Sequence, residues 1–132
     1  MLFLWTASLG WLAVLLLVAT VCIPYIARIR VPAPDMSRPR GMALHFWAGP
    51  TALVIAFVHA WLPMSAGVAR QGLAGIWIAT FALLVMGWQV ALGLRLRRAY
   101  PTHQRPRRRL HFWTMCTIVV LVLAHVSINR VA

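Results

Sequence analysis

Residues 43–63 read ALHFWAGPTALVIAFVHAWLP, an apolar run with no Asp, Glu, Lys or Arg that carries two histidines, His45 and His59. At ~1.5 Å of rise per residue the fourteen positions between them span ~21 Å of helix, and at ~100° per residue the two rings fall ~40° short of four full turns. Both therefore face the same way, one near each edge of a hydrocarbon core about 30 Å thick. An imidazole inside a membrane segment is read as a functional site whose partner must be found.

The same pattern returns 66 residues later, where Leu110-His111-Phe112-Trp113 repeats Leu44-His45-Phe46-Trp47. Thr117 then matches Thr51, and His125 matches His59. The flanks agree, with Arg38-Pro39-Arg40 before the first copy and Arg105-Pro106-Arg107, one residue closer, before the second. Arg28-Ile29-Arg30 and Arg95-Leu96-Arg97 close the preceding apolar runs in the same fashion. The repeating unit is thus a pair of helices present twice.

Composition sets the class. Of 132 residues 62% are apolar, and the one carboxylate side chain is Asp35. Four stretches, about 3–27, 43–63, 73–94 and 110–128, approach the ~20 apolar residues that cross a bilayer as a helix. They leave no room for a second domain, so residues 1–132 are expected to form one all-α integral membrane domain. Its expected architecture is an up-down-up-down bundle of four transmembrane helices built from a duplicated helical hairpin. The first run lacks a basic lead-in and a small-residue cleavage pattern, and is read as a retained helix. Gly49-Pro50 is expected to interrupt and kink the second segment.

A formal charge of +12 raises the question of nucleic acid, and the distribution of the charge answers it. Eleven of the 13 arginines fall in two connections: Arg28, Arg30, Arg38 and Arg40 in one, Arg95, Arg97, Arg98, Arg105, Arg107, Arg108 and Arg109 in the other. Arg70 marks the middle connection and Arg130 the carboxyl end. Such asymmetry places the rich loops in the cytoplasm and both termini outside, in a bacterial inner membrane, with the remaining attraction directed at anionic lipid. No nucleic-acid partner is expected.

Segments two and four are separated by one crossing and so run parallel. His45 and His111 then share a depth near the arginine-rich face, and His59 and His125 share a depth near the other. Structural zinc wants four ligands in one tetrahedral cluster, whereas these ligands come in twos at separate levels. Haem iron takes two axial imidazoles and is then closed to oxygen, which suits electron transfer. Metal ligation also engages ring nitrogens that would be costly in hydrocarbon. The candidate iron ligands are His45, His111, His59 and His125. Arg38, Arg40, Arg105, Arg107 and Arg109 are candidate partners for inner propionates and Arg70 and Arg130 for outer ones, because guanidinium forms forked bonds to carboxylate.

Other residues have plainer readings. Cys22 and Cys116 are read as small core residues with no CxxC spacing, and the chain has no CxxCH for covalent haem attachment. Phe46-Trp47 and Phe112-Trp113 fit an interfacial aromatic belt or the face of a porphyrin. Gly10, Gly87 and Gly93 leave room for a flat cofactor near the backbone. His103 has no repeat counterpart and is read as a loop residue. If quinol is oxidised here, the proton-handling groups are expected from His103, Gln104 or Gln89, or from a partner.

Two parallel helices, second and fourth of four, each with histidines fourteen apart, resemble the dihaem core of b-type cytochromes. That group takes in cytochrome b of quinol-oxidising complexes, cytochrome b561-type proteins and ferric-reductase-like membrane domains. The resemblance covers nearly the whole chain. It implies two haem b groups, bound by His45 with His111 and by His59 with His125, and electron transfer across the membrane. A quinol/quinone pool at one face and a partner redox subunit at the other are the implied partners. The Pro-Glu-Trp-Tyr motif of a full cytochrome b and the flavin domain of a ferric reductase do not accompany it. Alternatives are a stand-alone oxidoreductase that oxidises superoxide or reduces ferric iron, a histidine-lined metal transporter, and a haemless assembly or anchor subunit.

Overall fold

The computed structural model describes residues 2–30, 41–65, 73–98 and 104–131, and these are helical throughout. In chain order they form α1 (Leu2–Arg30), α2 (Gly41–Ser65), α3 (Leu73–Arg98) and α4 (Gln104–Val131). All four are long and apolar enough to cross a membrane. The protein is therefore all-helical with multi-pass membrane character.

Each helix outlasts its apolar run. The largest extension is at α4, which starts at Gln104 and takes up Arg105, Arg107, Arg108 and Arg109, residues expected in a connection. Arginine is a good helix former, and Pro106 is tolerated in a first turn whose N–H groups lack helical partners anyway. The two arginine groups meet opposite helix ends. Arg95, Arg97 and Arg98 occupy the last turn of α3, where the helix dipole favours cations, while those of α4 sit at a positive end with no acidic residue to offset them. Arg95 also lies over the ring of Trp88, 5.9 Å from its centre. The second arginine group gains nothing from its helix.

Where an interruption was expected, α2 stays helical through Gly49 and Pro50. Proline removes one donor there, and the hydroxyl of Thr51 adds one nearby by donating to the carbonyl of Trp47 at 2.8 Å. Thr117 of α4 makes the equivalent bond to Trp113 at 3.1 Å.

The chain divides into two compact units, residues 1–62 and 63–132. In the first, α1 and α2 touch at two levels. Thr6 meets His59 and Thr20 meets His45, so position rises by fourteen along one helix as it falls by fourteen along the other. The two helices run antiparallel. In the second unit α3 packs on α4. Ala82 and Met86 are buried one turn apart on α3, as are Thr114 and Ile118 on α4, the spacing of neighbours on one helix face. Large apolar side chains point outward, Trp47 at 76% exposure and Trp77 at 71% among them. Outward tryptophan and leucine would be a liability in water and are the ordinary surface of a helix in lipid.

Candidate functional site

All four membrane histidines lie on described helices, His45 and His59 on α2, His111 and His125 on α4. Each is half-buried. The groups that hold them differ between the two units.

In the first unit both rings are held by the backbone of α1. The Nδ1 atom of His45 lies 2.8 Å from the carbonyl oxygen of Thr20, and that of His59 lies 2.7 Å from the carbonyl oxygen of Thr6. A carbonyl can only accept, so Nδ1 carries the hydrogen in both rings. In the neutral ring Nε2 then keeps the lone pair, the nitrogen that a metal takes. This is the arrangement found around metal-bound histidine, where the second ring nitrogen donates to a carbonyl and thereby fixes tautomer and ring direction. At each level this unit can offer a metal one imidazole nitrogen. Phe46 adds an edge contact, its ring centre 5.9 Å from that of His45.

Gly10 faces the ring of His59. A Cβ at this position would stand 2.9 Å from His59 Cε1, closer than real contacts allow. The space expected to serve a flat cofactor is filled by the imidazole itself. Gly87 has nothing within 4 Å of such a Cβ, and Gly93 faces His111 Cε1 at 3.5 Å, an ordinary contact.

The second unit holds its histidines by side chains. Gln89 of α3 donates its amide N–H to the backbone carbonyl of His111 at 3.0 Å. The other end of that amide, Oε1, is buried with no hydrogen-bond partner among the described residues. One turn beyond His125, Asn129 donates to the carbonyl of His125 at 2.9 Å. The same amide nitrogen stands 3.3 Å from Nδ1 and 3.2 Å from Nε2 of the ring, so neither nitrogen is singled out. Within either unit no three His, Cys, Asp or Glu side chains among the described residues gather as a metal cluster.

The arginines divide by position. Arg105, Arg107 and Arg109 are exposed on the first turns of α4. Arg105 and Arg109 lie with Pro106, Leu110 and Trp113 on one face of α4. Arg38, Arg40 and Arg70, like Asp35 and His103, lie outside the described residues, and Arg130 is placed only as the penultimate residue of α4. Cys22 and Cys116 are free thiols. Trp47 and Trp113 point outward, as belt residues do.

Sequence reading passed over Thr6, Thr20 and Asn129. Asn129 was within reach, since a residue four on from a helical histidine shares its face. The threonines act through backbone carbonyls, which every residue has. Their visible trace is spacing: Thr6 and Thr20 are fourteen apart, as His45 and His59 are. Compared with known protein families, curated proteins and solved structures, the chain matches none.

Proposed function

We propose that this chain is a small dihaem b-type cytochrome that moves single electrons between the two faces of a membrane. The observation that carries the reading is the pair of Nδ1-to-carbonyl contacts at His45 and His59. Two imidazoles at separate levels of one helix are each set to offer Nε2, as axial ligands are. Haem, when bound, supplies one-electron redox chemistry without a proton or a substrate group.

The residues divide the work. His45 and His59 present ring nitrogens from α2, and the repeat in the sequence assigns His111 and His125 of α4 as their respective counterparts in an up-down-up-down bundle. The sequence match of Leu44-His45-Phe46-Trp47 with Leu110-His111-Phe112-Trp113, and of Thr51 with Thr117, supports that duplication. Arg105 and Arg109 put positive charge at one end of the apolar span, where anionic propionates of the inner group would meet it. The same charge orients the chain with its arginine-rich connections in the cytoplasm of a bacterial cell. A quinol/quinone pool and a partner redox subunit are the proposed exchange partners, since four spans account for the described chain.

The test is a reduced-minus-oxidised spectrum of the purified chain with haem measured per polypeptide. About two low-spin haems per chain are expected. Colourless membranes from haem-replete cells, or iron far below that ratio after gentle extraction, would end the proposal. Metal uptake by a colourless chain would favour the transporter instead.

A further inference from the structure

A helix does not ordinarily have carbonyls to spare. Each C=O at position i takes the N–H of residue i+4, and the Cβ of residue i+4 leans back over the same turn. Yet α1 gives two carbonyls to imidazoles of α2. The residue that matters for each is therefore the one four positions on.

Four after Thr20 stands Pro24, inside α1. Proline has no N–H, and its ring crowds the carbonyl four residues back, which here is that of Thr20. An orphan carbonyl in hydrocarbon is strongly unfavourable unless another donor reaches it. His45 Nδ1, at 2.8 Å, is that donor. Four after Thr6 stands Gly10. It keeps its N–H but has no side chain over the carbonyl, and the ring of His59 occupies the space where a Cβ would be. Thr6-Ala7-Ser8-Leu9-Gly10 and Thr20-Val21-Cys22-Ile23-Pro24 thus open one carbonyl each, by opposite means, fourteen residues apart.

We propose that Pro24 and Gly10 are positioning residues: each exposes one carbonyl of α1, which takes the Nδ1–H of His45 or His59 and so leaves the lone pair of that ring on Nε2, the nitrogen a metal takes. Neither residue touches the iron. What Nε2 meets rests on the dihaem reading, whereas the tautomer of each ring does not. Pro24 acts by sparing the Thr20 carbonyl a helical donor, so its replacement by a residue with an N–H brings a second donor to that oxygen and weakens its hold on His45.

The experiment uses the full chain in lipid bilayers with ¹⁵N-labelled histidine, metal-free and haem-loaded. In the metal-free wild type, His45 and His59 are expected as Nδ1–H tautomers. Pro24→Ala, which eases helix formation and so does not threaten folding, is expected to give His45 a mixed tautomer while His59 keeps its own. Haem affinity at the His45 level should fall about ten- to hundredfold, the usual cost of losing a partner that orients a ligand. An α-hydroxy acid at position 24, which also lacks the N–H, should restore the wild-type spectrum and affinity. A wild-type His45 protonated at Nε2, or a Pro24→Ala chain unchanged in both readouts, would overturn the proposal. A wild type that binds no haem would sink the dihaem reading alone, and the metal-free spectra would still decide the role of Pro24.

Discussion

The two helix pairs carry histidines at matching sequence positions and hold them differently. In α1 and α2, both rings are tied to backbone carbonyls of the neighbouring helix, at 2.8 and 2.7 Å. In α3 and α4, an amide from the neighbour grips the backbone of His111, and the partner of His125 comes from its own helix one turn on. A backbone carbonyl cannot rotate away or be exchanged for another group, whereas an asparagine amide can do both. The first pair therefore fixes each ring against a neighbouring backbone, whereas the bonds from Gln89 and Asn129 fix the backbone carbonyls of His111 and His125. The matching histidines do not bring matching supports: where α1 has Gly10 and Pro24, the residues 67 positions on, the offset that matches Arg28-Ile29-Arg30 with Arg95-Leu96-Arg97, are Trp77 and Ala91.

The largest effect expected from breaking this comparison is loss of a ligand. His59→Ala and His125→Ala, one from each pair, should each remove one haem and leave the other. Spectra should show that the same component disappears in both, and the double variant should do no further damage. If the two variants remove different components, the assignment of His59 with His125 falls, though the dihaem count stands. If either variant strips both haems, the two levels are not independent.

A smaller and sharper contrast lies in two glycines. Glycine to alanine within a helix is worth about 1 kcal/mol in propensity, so both replacements begin with the same favourable bias. Gly93→Ala meets His111 at an ordinary 3.5 Å and should leave thermal stability and haem content as they are, or slightly improved. Gly10→Ala places a methyl 2.9 Å from His59 Cε1. The ring must swing off the carbonyl of Thr6, and the expected result is weakened haem binding at the His59 level with the His45 level intact. Unfolding midpoints and haem content of the two variants, measured in the same detergent, check it. Equal behaviour would mean that the ring has another place to go, and that the first pair does not fix it against the neighbouring backbone.

What the sequence made legible follows from where the information lies. Apolar runs and histidine spacing are side-chain properties, and they identified four spans and four candidate ligands. Helix ends were less legible at α4, because its arginine run has no apolar signal although arginine suits a helix well. The supports were illegible for a different reason. A carbonyl of Thr20 is spelled the same as any other carbonyl, and only the proline four residues later betrays that its helical partner is missing. That proline reads in isolation as a kink, and its meaning depends on which helix lies beside it. Gly10 was noticed and given to the cofactor, when the group it admits is the imidazole.

The smallest expected effect concerns Gln89, and its sign carries the information. Removing the amide loses its bond to the carbonyl of His111, worth about 1 kcal/mol. It also removes Oε1, a buried acceptor with no partner among the described residues, whose burial costs about 1–3 kcal/mol. Gln89→Leu keeps most of the volume and discards both terms, so the net change should be near zero or slightly stabilising. Gln89→Ala leaves a cavity as well and should be the worse of the two. In the first helix pair no such compensation exists, since the acceptors there are backbone atoms. Thermal unfolding of the two variants decides between the cases: if Gln89→Leu destabilises by several kcal/mol, Oε1 has a donor in the membrane-embedded protein, and the second pair is as firmly supported as the first.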